Sequence, residues 1–97
     1  MIKIVAKSII KDGMKEKFIE KARELVSLSR KEKGCIAYNL YEDISNNKIM
    51  TFIEEWKDEE AIKIHNSSEH FTRIVPEFAE LREGRSELNL YKPVLPE

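Results

Sequence analysis

The sequence of 97 residues contains one cysteine, three glycines, three prolines and one tryptophan. A lone Cys35 excludes an internal disulfide and offers no cysteine cluster to a metal. Gly13, Gly34 and Gly84 stand far apart, each at the end of a predicted helix. Neither a dinucleotide fingerprint nor a phosphate-binding loop can be drawn through them. No Ser or Cys lies in a nucleophile motif. Seventeen basic against 18 acidic side chains leave a net charge of −1, which removes the basic surplus typical of nucleic-acid binders. No apolar run approaches the roughly 18–20 residues that span a bilayer. Lys3 and Lys7 interrupt the first apolar stretch, MIKIVAKSII, which makes it a poor signal peptide. These absences predict a cytoplasmic protein with no nucleic-acid partner, no membrane partner, no metal and no cofactor motif.

What is present fits one domain over residues 1–97, with a core over about 2–91 and a short tail, 92–97. Residues 1–10 are dense in Ile and Val and predict a strand that ends at Asp12-Gly13. Asp12 is placed to cap a helix over 14–33, in which Met14, Phe18, Ala22, Leu25 and Ser29 recur at helical spacing. Gly34 is the expected cap at its C-terminal end. Residues 35–42 and 48–56 predict a hairpin around a polar turn, 43–47, whose residues tolerate positive φ. Asp58 caps a second helix, with Ala61, Ile64, His65 and Ser68 on one side. Ser67 or Ser68 caps its continuation, in which Phe71, Ile74, Val75, Phe78 and Leu81 face inward and Pro76 imposes a break. Gly84 ends that segment, and Ser86 to Tyr91 alternates as a last strand.

The order β-α-β-β-α-β is that of an α+β, ferredoxin-like subunit: a four-stranded antiparallel sheet with its helices on one face. Yet the middle strands are apolar on both sides. Met50, Phe52 and Trp56 oppose Ile49, Thr51 and Ile53, while Ile36, Tyr38 and Leu40 oppose Cys35, Ala37 and Tyr41. A sheet wetted on one face alternates apolar with polar. The bare face therefore predicts a homodimer formed through it.

Few residues can carry chemistry. His65 titrates near neutrality and lies on the apolar side of the second helix, where an imidazole can act as acid, base or polariser. An inward histidine is more often a satisfied core residue, and His65 with His70 alone makes a poor metal site. Cys35 reads as apolar filler. Glu54, beside Phe52 and Trp56, is either a buried base or, more simply, the partner of a Lys or Arg across the sheet. Tyr38 and Tyr41 carry hydroxyls to opposite faces.

The string Glu54-Glu55-Trp56-Lys57-Asp58-Glu59-Glu60-Ala61, then His65, then Ser68-Glu69-His70-Phe71, resembles the antibiotic biosynthesis monooxygenase domain family. So do Glu32-Lys33-Gly34-Cys35-Ile36-Ala37-Tyr38 and the Asp12-Gly13 turn before Phe18, so the resemblance runs from residue 2 to about 91. It implies a dimeric α+β barrel. It also implies a small quinol monooxygenase that oxidises a dihydroxy-aromatic compound with O₂ and without metal or flavin. In that reading His65 bonds the substrate hydroxyl or takes its proton, and Tyr38, Phe52, Trp56 and Phe71 form the substrate wall. Three rivals remain. Haem-degrading relatives use an Asn and a Trp, but His65 stands at the Trp position and the first strand has no Asn. An isomerase of a phosphorylated signalling sugar would need a phosphate clamp from Lys7, Arg73, Arg82 or Arg85. The third is a non-catalytic dimer that binds a small molecule.

Overall fold

The computed structural model describes residues 1–96; the last residue of the predicted tail, Glu97, lies outside the described residues. The elements are β1 (Ile2–Ile10), α1 (Lys15–Ser29), β2 (Cys35–Asp43), β3 (Asn46–Trp56), α2 (Glu59–Asn66), α3 (Glu69–Ile74), a 3₁₀ turn (Val75–Glu80) and β4 (Arg82–Tyr91). All strand pairs are antiparallel, in the order β2-β3-β1-β4. This is the predicted ferredoxin-like arrangement. Among the described residues no helix is long and apolar enough to cross a membrane.

The core forms where the apolar stripe of α1 meets the sheet. Phe18, Ala22, Leu25 and Ser29 are all buried there at successive helical turns, against Met50, Phe52 and Trp56 of β3. Met14, predicted to lead that stripe, is exposed, because it precedes the helix at the N-cap position. Asp12 caps nothing: it pairs with Lys48 at 2.8 Å, and Gly13 makes the turn at φ +80°. Asp58 caps α2 as expected, accepting from the Ala61 amide at 2.9 Å. Of the two serines proposed for the next cap, Ser68 does it, accepting from the Phe71 amide at 3.2 Å. Pro76 breaks the helix by turning α3 into the 3₁₀ segment, and Ile74, Phe78 and Leu81 still reach the core.

Three sequence expectations fail, at the end of α1, at Gly34 and at Gly84, while the predicted hairpin forms without using the positive φ its turn residues tolerate. The helix predicted over 14–33 stops at Ser29, and residues 28–35 descend through consecutive short turns that swing Glu32 inward. Gly34 is not a left-handed cap. Its function is space: a Cβ there would lie 2.3 Å from the Ala61 Cβ, so it lets the turn touch α2. The hairpin needs no positive φ, because the Asp43 carboxylate accepts from the Ser45 and Asn46 amides and both strands extend into the turn. Finally, Gly84 does not end a helix but lies inside β4 at φ +64°, near a register shift against β1.

A bulge also rearranges β2. Cys35 pairs with Trp56, but Ala37 pairs with Glu55, so two steps on β2 meet one on β3. Cys35 therefore shares the helix side of the sheet with Tyr38, where it packs on the core, and Ile36 is left exposed. The sequence alternation had placed these two residues on the opposite sides. Ile64 likewise faces outward, while its neighbour Ile62 packs on the core.

Candidate active site

Between the helices and the sheet lies a cavity of about 270 Å³, lined by α1, α2, α3, the 3₁₀ turn and all four strands. Its wall is largely apolar: Phe18, Phe52, Ile62, Phe71, Phe78 and Leu88 border it. The polar groups that reach it include Tyr38, Glu54, His65 and Arg82.

His65 is only 1% exposed. It is ringed by aromatics, with Trp56 at 4.3 Å, Phe71 at 5.0 Å and Tyr38 at 5.5 Å between ring centroids. Its Nδ1 lies 2.6 Å from Glu32 Oε2, while its buried Nε2 has no partner. His70 Nε2 approaches the same Glu32 oxygen at 2.8 Å. Burial holds the His65 pKa below its usual range against the opposing pull of Glu32, so the ring rests neutral. A neutral imidazole with one nitrogen tied and the other free is a proton acceptor.

The structure brings Tyr38, Phe52, Phe71 and His65 to one cavity. Trp56, also proposed for the wall, stands outside the lining set; fully buried, it backs His65 instead. Burial pushes the Tyr38 hydroxyl far above its ordinary range, so it offers a hydrogen rather than a charge. Cys35 is pushed up to about 11, first by burial and then by the Glu32 and Glu54 carboxylates. It cannot supply a thiolate near neutrality.

Glu54 corrects the simpler sequence reading. It pairs with no cation across the sheet; the neighbouring Glu55 does that, with Lys3 at 3.4 Å. Glu54 is buried on the cavity wall and accepts from the Trp56 indole N–H at 2.9 Å. Burial raises its pKa from 4.5 to about 7, with the Trp56 hydrogen bond pulling the other way. The folded state therefore holds a proton on Glu54 that the unfolded chain loses near pH 4.5. The resulting stability is complete below that value and disappears as pH rises through about 7. We expect Glu54→Gln to match the parent at low pH. At about pH 8 it should exceed the parent by about 3 kcal/mol in urea unfolding. Equal stability of the two at high pH would show that Glu54 is not buried as described.

Sequence reasoning missed Glu32 as a site residue. Its acceptor oxygen is reached from 33 and 38 residues away in sequence, and the predicted helix had Glu32 on its last turn. Of the four cations considered for a phosphate clamp, only Arg82 borders the cavity, with an unpartnered buried Nε. Arg73 is held by Glu24 and Glu69.

Known proteins share this architecture. The Bacillus subtilis protein YcnE is 37% identical over 81 residues, covering 84% of this chain and 85% of its own. A conserved protein of Methanosarcina mazei Go1 is 36% identical, with a TM-score of 0.92 over 94% of this chain and 90% of its own. A crystal structure of an antibiotic biosynthesis monooxygenase is also 36% identical, with a TM-score of 0.92 over 98% of this chain and 100% of its own. The profile of the antibiotic biosynthesis monooxygenases matches residues 1–77, which carry β1 to α3 with Glu32, Glu54, His65 and His70. With the fold, the aromatic cavity and the sequence in agreement, this chain belongs to the antibiotic biosynthesis monooxygenase family.

Proposed function

We propose that this protein is a monooxygenase that oxidises a small quinol or polyphenol with O₂, without a cofactor. The observation that carries the reading is the unpartnered Nε2 of a buried, neutral His65 at an aromatic-walled cavity of about 270 Å³. A one- to two-ring phenol fits such a wall, with Phe52 and Phe71 against its ring. His65 Nε2 takes the hydroxyl proton, and Tyr38 can donate a hydrogen bond to the oxygen left behind. The electron-rich anion passes one electron to O₂. The superoxide and the ring radical then combine at a ring carbon bearing hydrogen, and the His65 imidazolium returns its proton to the peroxide anion. Loss of water from that hydroperoxide leaves a carbonyl, so phenol plus O₂ becomes quinone plus H₂O. The protein's part is to hold the anion, receive its proton and exclude water.

The test is oxygen uptake by purified, metal-stripped protein with a panel of quinols and naphthols, set against each compound's autoxidation. Uptake well above autoxidation supports the reading, and none across the panel overturns it. One observation favours a second reading, the isomerase of a phosphorylated sugar: Arg82 at the cavity edge could meet an anion. The largely apolar wall speaks for an aromatic substrate first.

We also infer a homodimer through the sheet face that carries no helices. Val5, Ile9, Ile49, Ile53 and Tyr41 share that face by register, and Ile9 and Tyr41 are exposed on it. The same face carries Lys3 beside Glu55 and Lys7 beside Glu87, charges that a two-fold copy can pair. The melting temperature is expected to rise with protein concentration. A species that sediments as a monomer at micromolar concentration would refute the dimer.

A further inference from the structure

We propose that Glu32 is the positioning residue of the site: it binds His65 Nδ1–H, so that the ring's lone pair is presented to the cavity at Nε2, and His70 fastens the carboxylate through the same oxygen. This rests on the reading of His65 as the proton acceptor and deepens it.

The three side chains come from three separate elements, the turn after α1, α2 and α3. All three are largely removed from solvent, at 12%, 1% and 15% side-chain exposure for Glu32, His65 and His70. Glu32 Oε2 lies 2.6 Å from His65 Nδ1 and 2.8 Å from His70 Nε2. A carboxylate oxygen only accepts, so both nitrogens must carry the hydrogen. His65 is thereby locked with hydrogen on Nδ1, the less common form of a free imidazole. Its Nε2 must then be the bare nitrogen, and that is the atom left without a partner. When Nε2 takes a proton, the imidazolium forms against the Glu32 carboxylate in a setting with little water, where a charge pair is strong.

The groups that face His65 are few. Glu32 approaches from the turn, His70 and Phe71 from α3, Tyr38 from β2 and Trp56 from β3. Glu54 hydrogen-bonds Trp56 behind the ring. Of these only Glu32 both accepts from Nδ1 and can balance the new charge.

Glu32, His65 and His70 also form a two-histidine, one-carboxylate set whose ligand atoms lie within 4.8 Å of one another. Their spacing fits hydrogen bonds better. Two ligand atoms about 2.0–2.1 Å from one zinc at tetrahedral angles stand about 3.3 Å apart, whereas both nitrogens here are closer to the oxygen than that. A metal on Nδ1 would moreover lie on the side of the ring that faces Glu32 rather than at the free Nε2.

Long-range ¹H–¹⁵N NMR of the labelled full chain near neutral pH reads the tautomer without substrate or oxygen. The expected spectrum shows His65 with hydrogen on Nδ1 and a lone pair on Nε2. Glu32→Leu should move the hydrogen to Nε2. Glu32→Gln, nearly isosteric, keeps an acceptor but removes the charge. It should lower kcat about 10- to 100-fold with little change in KM and move the acidic limb of the pH profile toward lower pH. An Nε2-protonated His65 in the unsubstituted protein overturns the proposal, as does a tautomer that Glu32→Leu leaves unchanged. Stoichiometric zinc binding that shifts both histidines would also overturn it, by making the set a metal centre. If the tautomer is as expected but no quinol is consumed, the monooxygenase reading fails and the positioning pair stands.

Discussion

His65→Ala is expected to lower turnover with an active quinol by about 100-fold, the scale of one lost general base, while the circular dichroism spectrum stays that of the folded protein. Among the described residues His65 is the only histidine that lines the cavity, and its buried Nε2 has no partner. Removing the imidazole leaves Glu54 as the only carboxyl lining the cavity, and that group is tied to the Trp56 indole. Because the ring is 1% exposed, alanine also opens a void that costs about 2–4 kcal/mol by analogy with other buried truncations. His65→Gln fills more of that space and separates the two effects: it should melt closer to the parent and be as slow as His65→Ala. A folded variant that turns over at the parent rate would remove His65 from the mechanism.

The largest stability effect is expected at a residue with no side chain. In Gly34→Ala the new Cβ would stand 2.3 Å from the Ala61 Cβ and 3.4 Å from the Ala61 Cα. No rotamer change relieves that contact, because a Cβ and a backbone atom are both fixed. Nor can the turn easily retreat: the Gly34 carbonyl accepts from the Lys57 amide at 2.9 Å, and the Cys35 amide donates to the Glu32 carbonyl at 3.1 Å. The substitution should therefore cost about 3 kcal/mol or more and lower the urea midpoint. It should also loosen the Glu32 contact with His65, because Glu32 lies two residues earlier. Adding Ala61→Gly removes the colliding atom. The double variant should recover much of the loss, despite the helix propensity that α2 gives up, roughly 1 kcal/mol. A Gly34→Ala protein with the parent's midpoint would mean that the turn and α2 are not in contact.

Much of the local chemistry was legible, although Asp12, expected to cap α1, is drawn instead to Lys48. The Phe18-Ala22-Leu25-Ser29 stripe, the Asp58 and Ser68 caps and the Pro76 break all depend on contacts within a few residues, and each stands in the structure. The element order and the ferredoxin-like fold follow from those local signals together with the strand patterns. The reading of Gly34 went wrong for an instructive reason. A glycine after Lys-Glu-Lys looks like a left-handed cap, and only the approach of Ala61, 27 positions later, reveals that the missing side chain makes room. The bulge at Ile36 is of the same kind. Alternation along one strand cannot show that a partner strand skips a step.

The site divides along the same line. By itself the periodicity of the sequence placed His65 and Phe71 on inward helical faces and Tyr38 and Phe52 on strand faces; that they would share one pocket, with Trp56, was implied only by the family resemblance. Only the tertiary structure decided what those residues can do. Glu32 becomes the partner of His65 because the chain leaves α1 early and folds beneath α2 and α3. Glu54, which on sequence grounds should have paired with a cation, is instead sealed against Trp56 and holds its proton up to about pH 7. Trp56 withdraws from the wall to support His65. Protonation, tautomer and free lone pairs depend on which groups meet across the fold and how much water is excluded. Neither is encoded at a fixed spacing along the chain.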